Sequence, residues 1–220
     1  MNKPEDCLLT RPKHVAIVAM GLSNRQFIIS MTCQKDIENW PDEIWGINFI
    51  GGCLRCDKIF LMDGMTYLSS VGWKHWTKWM KKYDTPIIQP KAEKRFQNTV
   101  RYPIEQVAGF TQELRELTHT PCYAIAYAIA IGVKRLDLFG FDYDYTPSTD
   151  ARNKAGILDE DGHKLIVKEE DGRDAASFWC GIARGKGMMV NAVGCRLLNS
   201  SQQLYGYKEN GLNIKKVFDN

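Results

Sequence analysis

The apolar positions of this chain fall into short, nearly unbroken runs that alternate with stretches of helical spacing. His14 to Met20 (HVAIVAM) is the first run, bounded by Lys13 and Gly21. An unbroken apolar segment of that length is what a strand covered on both faces presents. The turn Gly21-Leu-Ser-Asn24 leads into a helical stretch over 25–34, with Ser23 or Asn24 as its N-cap. Glu43 to Asn48 (EIWGIN) and Lys58 to Met62 (KIFLM) predict two further strands, which run into Asn48 and Asp63. Trp73, Trp76, Trp79 and Met80 recur among Lys74, Lys78, Lys81 and Lys82, predicting an amphipathic helix over 73–83. A short strand over 85–89 and a helix over 103–117 follow. The stretch 123–131 (YAIAYAIAI) is apolar all round, which predicts a deeply buried helix stopped by Gly132. Arg135 to Phe139 predicts another strand, followed by Gly140-Phe-Asp-Tyr-Asp-Tyr145, and a last helix and strand are expected over 177–184 and 188–193.

This alternation predicts an α/β fold, a Rossmann-like doubly wound and mostly parallel sheet. The 220 residues fit a single domain over 1–220. The polar stretch 146–172 reads as an inserted lid, with a small hairpin around Asp161-Gly162. Ligands of such sheets bind beyond the carboxyl ends of the strands. Gly21, Ser23, Asn24, Asn48, Asp63, Asp142 and Tyr143 share that address. Backbone N–H groups at the first helix start suit a phosphate, and asparagine amides can both donate to and accept from a base or ribose. The plainer alternative is that these residues only turn the chain and cap helices. Several such turns on one rim favour a nucleotide pocket.

Composition narrows the class without changing it. With 44% hydrophobic and 25% charged residues the chain is ordinary and globular. It has no apolar run long enough to span a membrane and no secretion-signal layout, so a cytoplasmic protein is expected. Cysteines at 7, 33, 53, 56, 122, 180 and 195 form no disulfide-like framework, and Cys53 and Cys56 make a CxxC pair with no second pair to complete a zinc site. A net charge of +3 falls short of a strongly basic protein. Charge is concentrated instead over 73–101, where Lys91, Lys94, Arg95 and Arg101 join the tryptophan-rich helix in a face that suits a polyanion. Asp142-Tyr143-Asp144 is formally a DxD, whose carboxylates suit Mg²⁺ or Mn²⁺ against a diphosphate. Tyr143 and Tyr145 are the alternative phosphate contacts, through their hydroxyls. Among His14, His75, His119 and His163, the last lies in the lid and is the candidate general base, with His119 its competitor. Association into a homo-oligomer stays open.

Thr120-Pro-Cys-Tyr-Ala-Ile-Ala-Tyr-Ala-Ile-Ala-Ile-Gly132, continued by Val-Lys-Arg-Leu-Asp-Leu-Phe-Gly-Phe-Asp-Tyr143, resembles the bacterial CMP-sialic-acid-dependent sialyltransferases that modify lipooligosaccharide. It is also similar to their relatives among motility-accessory glycosyltransferases and pterin diphosphokinases. Ala126 to Gly132 and Gly140 to Asp142 carry the likeness, although Pro121 stands where those proteins have a glycine. The resemblance implies a nucleotide-sugar donor. By it, Gly21-Leu-Ser23 is the first nucleotide-binding turn, Asn48 the asparagine after the second strand, and Asp63 a further pocket residue. Thr120 then contacts the donor, Tyr143 and Tyr145 lie near the phosphates, and His163 is like the catalytic histidine of the lid. The expected activity is glycosyl transfer to a glycan or to a hydroxylated base in DNA, the latter as in bacteriophage DNA modification. Two alternatives are a non-catalytic nucleotide-binding module and a pterin or nucleotide diphosphotransferase dependent on Mg²⁺ at Asp142 and Asp144.

Overall fold

Strand burial follows directly from the apolar runs. In the computed structural model, which describes residues 4–33, 40–63, 74–143, 169–195 and 197–198, Val15, Ile17 and Ala19 face one side of the sheet, and Ala16 and Val18 the other. Both faces are covered, as a parallel sheet requires. Seven strands are described: β1 (His14–Val18), β2 (Glu43–Ile47), β3 (Lys58–Phe60), β4 (Ile87–Gln89), β5 (Thr99–Arg101), β6 (Arg135–Phe139) and β7 (Met189–Val193). They lie in the order β5-β4-β3-β2-β1-β6-β7, with every neighbouring pair parallel. The chain steps outward from β1 through β5, then returns to place β6 on the other side of β1. That reversal is the topological switch point of a doubly wound sheet.

The described helices are α1 (Arg25–Cys33), α2 (Lys74–Lys82), α3 (Ile104–Thr111), α4 (Thr120–Ile131) and α5 (Glu169–Gly185). The α4 residues from Ala124 to Ile131 are buried, packed with Trp45, Phe60, Leu136 and Leu138 of the sheet and Trp179 of α5. This all-apolar helix forms the centre of the larger core. On the opposite face, Phe27 of α1 and Met80 of α2 join Ala16, Val18, Ile59, Ile87 and Phe139. Trp79 stacks on Tyr83 with ring centroids 4.3 Å apart, while Lys78, Lys81 and Lys82 are exposed. Trp79 is thus packed against the domain beneath a lysine-bearing surface.

Three elements differ from expectation. β5 lacks an apolar run, yet Thr99 is buried because its hydroxyl donates to the carbonyls of Glu93 and Phe96, each at 3.1 Å. The helix expected over 103–117 ends at Thr111, where Gln112 adopts φ 56. Thr111 Oγ1 there bonds the carbonyls of Val107 and Glu113, and the Glu113 carboxylate accepts the N–H groups of Leu114 and Arg115, a local turn that competes with further helix. The last helix begins at Glu169 rather than 177, so residues 169–172, expected in the polar stretch, form its first turn.

Candidate functional site

β1, β2 and β6 end at one level, because Val18 lies opposite both Gly46 and Phe139. Their following turns therefore share one edge of the sheet. Between β1 and β6 the backbone closes first: Ala19 N–H donates to Phe139 O at 2.8 Å and Gly21 N–H to Gly140 O at 3.0 Å. Side chains then lock the two turns together. Ser23 N–H donates to Asp142 Oδ2 at 2.8 Å, and Gly140 N–H donates to Ser23 Oγ at 3.1 Å. Both glycines are required by this closeness. Gly140 adopts φ 76 and a β-carbon there would overlap Ala19 O, while one at Gly21 would overlap Asp142 Oδ2. Asn24, half-buried, closes the turn through its N–H to Gly21 O at 3.0 Å.

The cap of the first helix is thus supplied across the switch point. Ser23 or Asn24 was expected to cap it locally; instead Ser23 Oγ is turned to Gly140, and the Asp142 carboxylate takes the Ser23 N–H. A carboxylate at that position complements the positive end of the helix dipole. It also places a resident anion where a ligand phosphate was expected to sit. Asp142 contributes a single described carboxylate, with one oxygen already engaged, and no group of three or more metal-ligating side chains is present among the described residues. Asp144, the other carboxylate of the DxD motif, lies outside the described residues.

Next to this floor, Asn48 opens a 3-10 turn (Asn48–Gly52) with φ 52. Left-handed backbone is tolerated by asparagine better than by most residues. Its Oδ1 is buried without a hydrogen-bond partner, a situation that costs about 1–3 kcal/mol unless a ligand or water completes it. Asp63 follows β3 and is half-buried.

On the β6 side, Thr120 opens α4 and is buried, with Pro121 in the first turn, where no N–H is needed. His119 precedes it in extended conformation and meets Tyr143. The His119 Nε2 and the Tyr143 hydroxyl are 2.8 Å apart, with the rings edge to face. Tyr143 adopts φ 50, which turns its ring back toward His119 and Phe141. The first turn of α5 lies against this pair: a β-carbon on Gly172 would come 3.2 Å from the Tyr143 ring and 3.7 Å from His119 Nε2. Burial pushes the His119 imidazole down to about 4, so the ring is neutral at pH 7 and a poor acceptor of a substrate proton.

No protein-family model matches this chain, and no curated protein matches it. Solved structures do. The chain is similar to the sialyltransferase CstII from Campylobacter jejuni in complex with cytidine-5'-monophosphate, at 16% identity and TM-score 0.43, over 86% of this chain and 87% of that one. It is similar to the sialyltransferase CST-II with a trisaccharide acceptor and CMP, at 14% identity and TM-score 0.45, over 81% and 80%. It is also similar to the apo alpha-2,3-sialyltransferase from Campylobacter jejuni, at 14% identity and TM-score 0.41, over 82% and 75%.

Gly21, Ser23, Asn24, Asn48, Asp63, Asp142 and Tyr143 all follow strands at their carboxyl ends, and Thr120 opens α4. Tyr145, Asp144 and His163 lie outside the described residues. The contact that sequence reading missed is His119 with Tyr143. Its only signal was a histidine just before a Thr-Pro helix start, three residues ahead of Cys122.

Proposed function

We propose that the chain is a glycosyltransferase whose nucleotide-sugar donor lies across the β1/β6 switch point. The observation that carries the pocket is Asn48, whose buried Oδ1 lacks a partner beside a rigid floor of Gly21, Ser23, Gly140 and Asp142. A base amine or ribose hydroxyl of the donor completes that acceptor. The sugar rests on the resemblance of 120–143, which forms α4 and β6 as that motif implies. In the reaction, the bond from the anomeric carbon to the phosphate oxygen breaks and the acceptor oxygen bonds to that carbon. The acceptor proton passes to His163, and the hydroxyls of Tyr143 and Tyr145 hydrogen-bond the departing phosphate. Stabilising that developing charge is the largest catalytic term. Asp142 braces the floor through the Ser23 N–H.

Exposed Lys78, Lys81, Lys82, Lys91 and Lys94 favour an anionic acceptor, whether a charged glycan or DNA carrying a hydroxylated base. The test is turnover of CMP, UDP, GDP and ADP sugars, alone and with each acceptor class. One donor is expected to be consumed, with the rate falling about 100-fold or more in His163→Ala, the usual loss of a general base. Unchanged turnover in that variant would remove the role of His163. A wild-type protein that binds a donor but turns over none would be a nucleotide-binding module, and strict dependence on Mg²⁺ would favour diphosphotransfer.

A further inference from the structure

The end of the sheet opposite the candidate site carries a second surface. Lys13 and Lys134 immediately precede β1 and β6, whose first residues, His14 and Arg135, lie side by side. The Lys134 N–H donates to the Lys13 carbonyl at 2.8 Å, and the Met189 N–H donates to the Lys134 carbonyl at 2.9 Å. One continuous rim therefore runs across the amino ends of β1, β6 and β7. Both lysines are exposed, and neighbouring strands lie about 4.8 Å apart, so two ammonium groups start from adjacent positions. Among the described residues neither is in an ion pair. The nearby Asp42 carboxylate accepts the N–H groups of Lys13 and His14 at 2.7 and 2.9 Å, and Arg135 is paired with Asp137. Like charges held side by side are unfavourable until an anion joins them.

Large apolar side chains share this rim. Met189 opens β7 and is 58% exposed, and Trp40, just before the Asp42 that binds Lys13, is 44% exposed. Phe110, 53% exposed, is joined to the rim by Lys186, whose ammonium lies 5.6 Å from the ring centroid just ahead of β7. Single exposed apolar residues are ordinary, but three set among cations along one edge make a mixed surface. Cations attract anionic lipid headgroups, tryptophan suits the headgroup level, and methionine and phenylalanine suit the acyl boundary. A nucleic acid would use the lysines and the rings but leave Met189 without a counterpart.

We propose that this rim docks on the surface of an anionic lipid bilayer, with Lys13, Lys134 and Lys186 on the headgroups and Trp40, Phe110 and Met189 at the acyl boundary. The inference does not rest on the glycosyltransferase reading. Because the strands are parallel, a bilayer seated there lies at the opposite end of the sheet from Asn48 and the Gly21–Asp142 floor. That end is left facing away from the lipid.

Co-sedimentation of the full chain with vesicles tests it. Vesicles of phosphatidylcholine and phosphatidylserine in equal parts are expected to carry the protein down, and pure phosphatidylcholine is not. Binding should fade between about 0.1 M and about 1 M salt, as screening shortens the Debye length from about 10 to about 3 Å. Lys13→Gln with Lys134→Gln is expected to lower the partition coefficient about 10- to 30-fold. Lys78→Gln with Lys91→Gln, which removes the same charge away from the rim, should lower it less than about threefold. Tryptophan emission should shift to the blue on adding the anionic vesicles, and Trp40→Phe should abolish most of that shift. No binding to anionic vesicles, equal losses in the two lysine pairs, or an emission shift that survives Trp40→Phe would overturn the proposal. So would a DNA duplex that binds through Lys13 and Lys134 more tightly than the vesicles do, which would make the rim a nucleic-acid surface.

Discussion

Asp142 shows how a residue with an expected chemical role is engaged by its neighbours. Its carboxylate accepts the Ser23 N–H at 2.8 Å, so removing it leaves a helix-terminal donor without its partner. Asp142→Ala is expected to lower stability by about 1–3 kcal/mol, and Asp142→Asn, which keeps an acceptor oxygen, by less. Urea denaturation of the two variants checks the order; equal losses would contradict the assigned bond. His119 gives a second expectation, in pH. An unfolded histidine protonates near 6.5, whereas the buried ring does so only near 4. Between those values the unfolded chain binds more protons, so stability rises with pH there. The contribution is complete above about 6.5 and falls away toward about 4, with a span of up to about 3 kcal/mol. His119→Gln should flatten the wild-type rise in melting temperature across that window; an unchanged profile would show that this ring is not what titrates. Residue types were readable in the sequence, but partners were not. Nothing in the spacing of Ser23 and Asp142, or of His119 and Tyr143, announces contact, because the first pair meets only when β6 returns beside β1 and the second only when β6 runs back along α4.

At the scale of elements, continuous apolar runs identified β1, β2, β3 and β6, and the fully apolar α4, with little ambiguity. β5 was hidden because its buried threonine is satisfied by local carbonyls rather than by an apolar neighbourhood. Lys58 was equally opaque. A lysine at the start of an apolar strand reads as a solvated end, yet its side chain is 1% exposed and paired with Glu43 and Thr10. Trp45 Nε1 also donates to Glu43, at 2.6 Å. This cluster ties the segment before β1 to β2 and β3. Lys58→Ala leaves the Glu43 carboxylate half-buried and without its cation, and is expected to cost about 3–5 kcal/mol in chemical denaturation. The double variant Lys58→Met, Glu43→Gln should recover much of that loss. A single variant as stable as wild type would contradict the structural role of the pair.

For the whole molecule, the order β5-β4-β3-β2-β1-β6-β7 matters more than any one side chain, because it sets β2 and β6 on either side of β1, so that Asn48 and the Gly21–Asp142 floor follow the ends of neighbouring strands. The alternation of elements made the doubly wound class legible, and with it which residues follow the carboxyl ends of the strands. What the pattern did not reveal was that the helix end at the switch point carries its own carboxylate, so the proposed donor contact falls on Asn48, whose buried Oδ1 has no partner. The most direct test of that account is calorimetric titration of CMP, UDP, GDP and ADP sugars into wild-type protein and Asn48→Ala. The account predicts that one donor binds and that its affinity falls about tenfold when the Asn48 amide is removed, the loss of one hydrogen bond in a buried site. Absence of binding by every donor, or a donor that binds the variant as tightly as wild type, would contradict it.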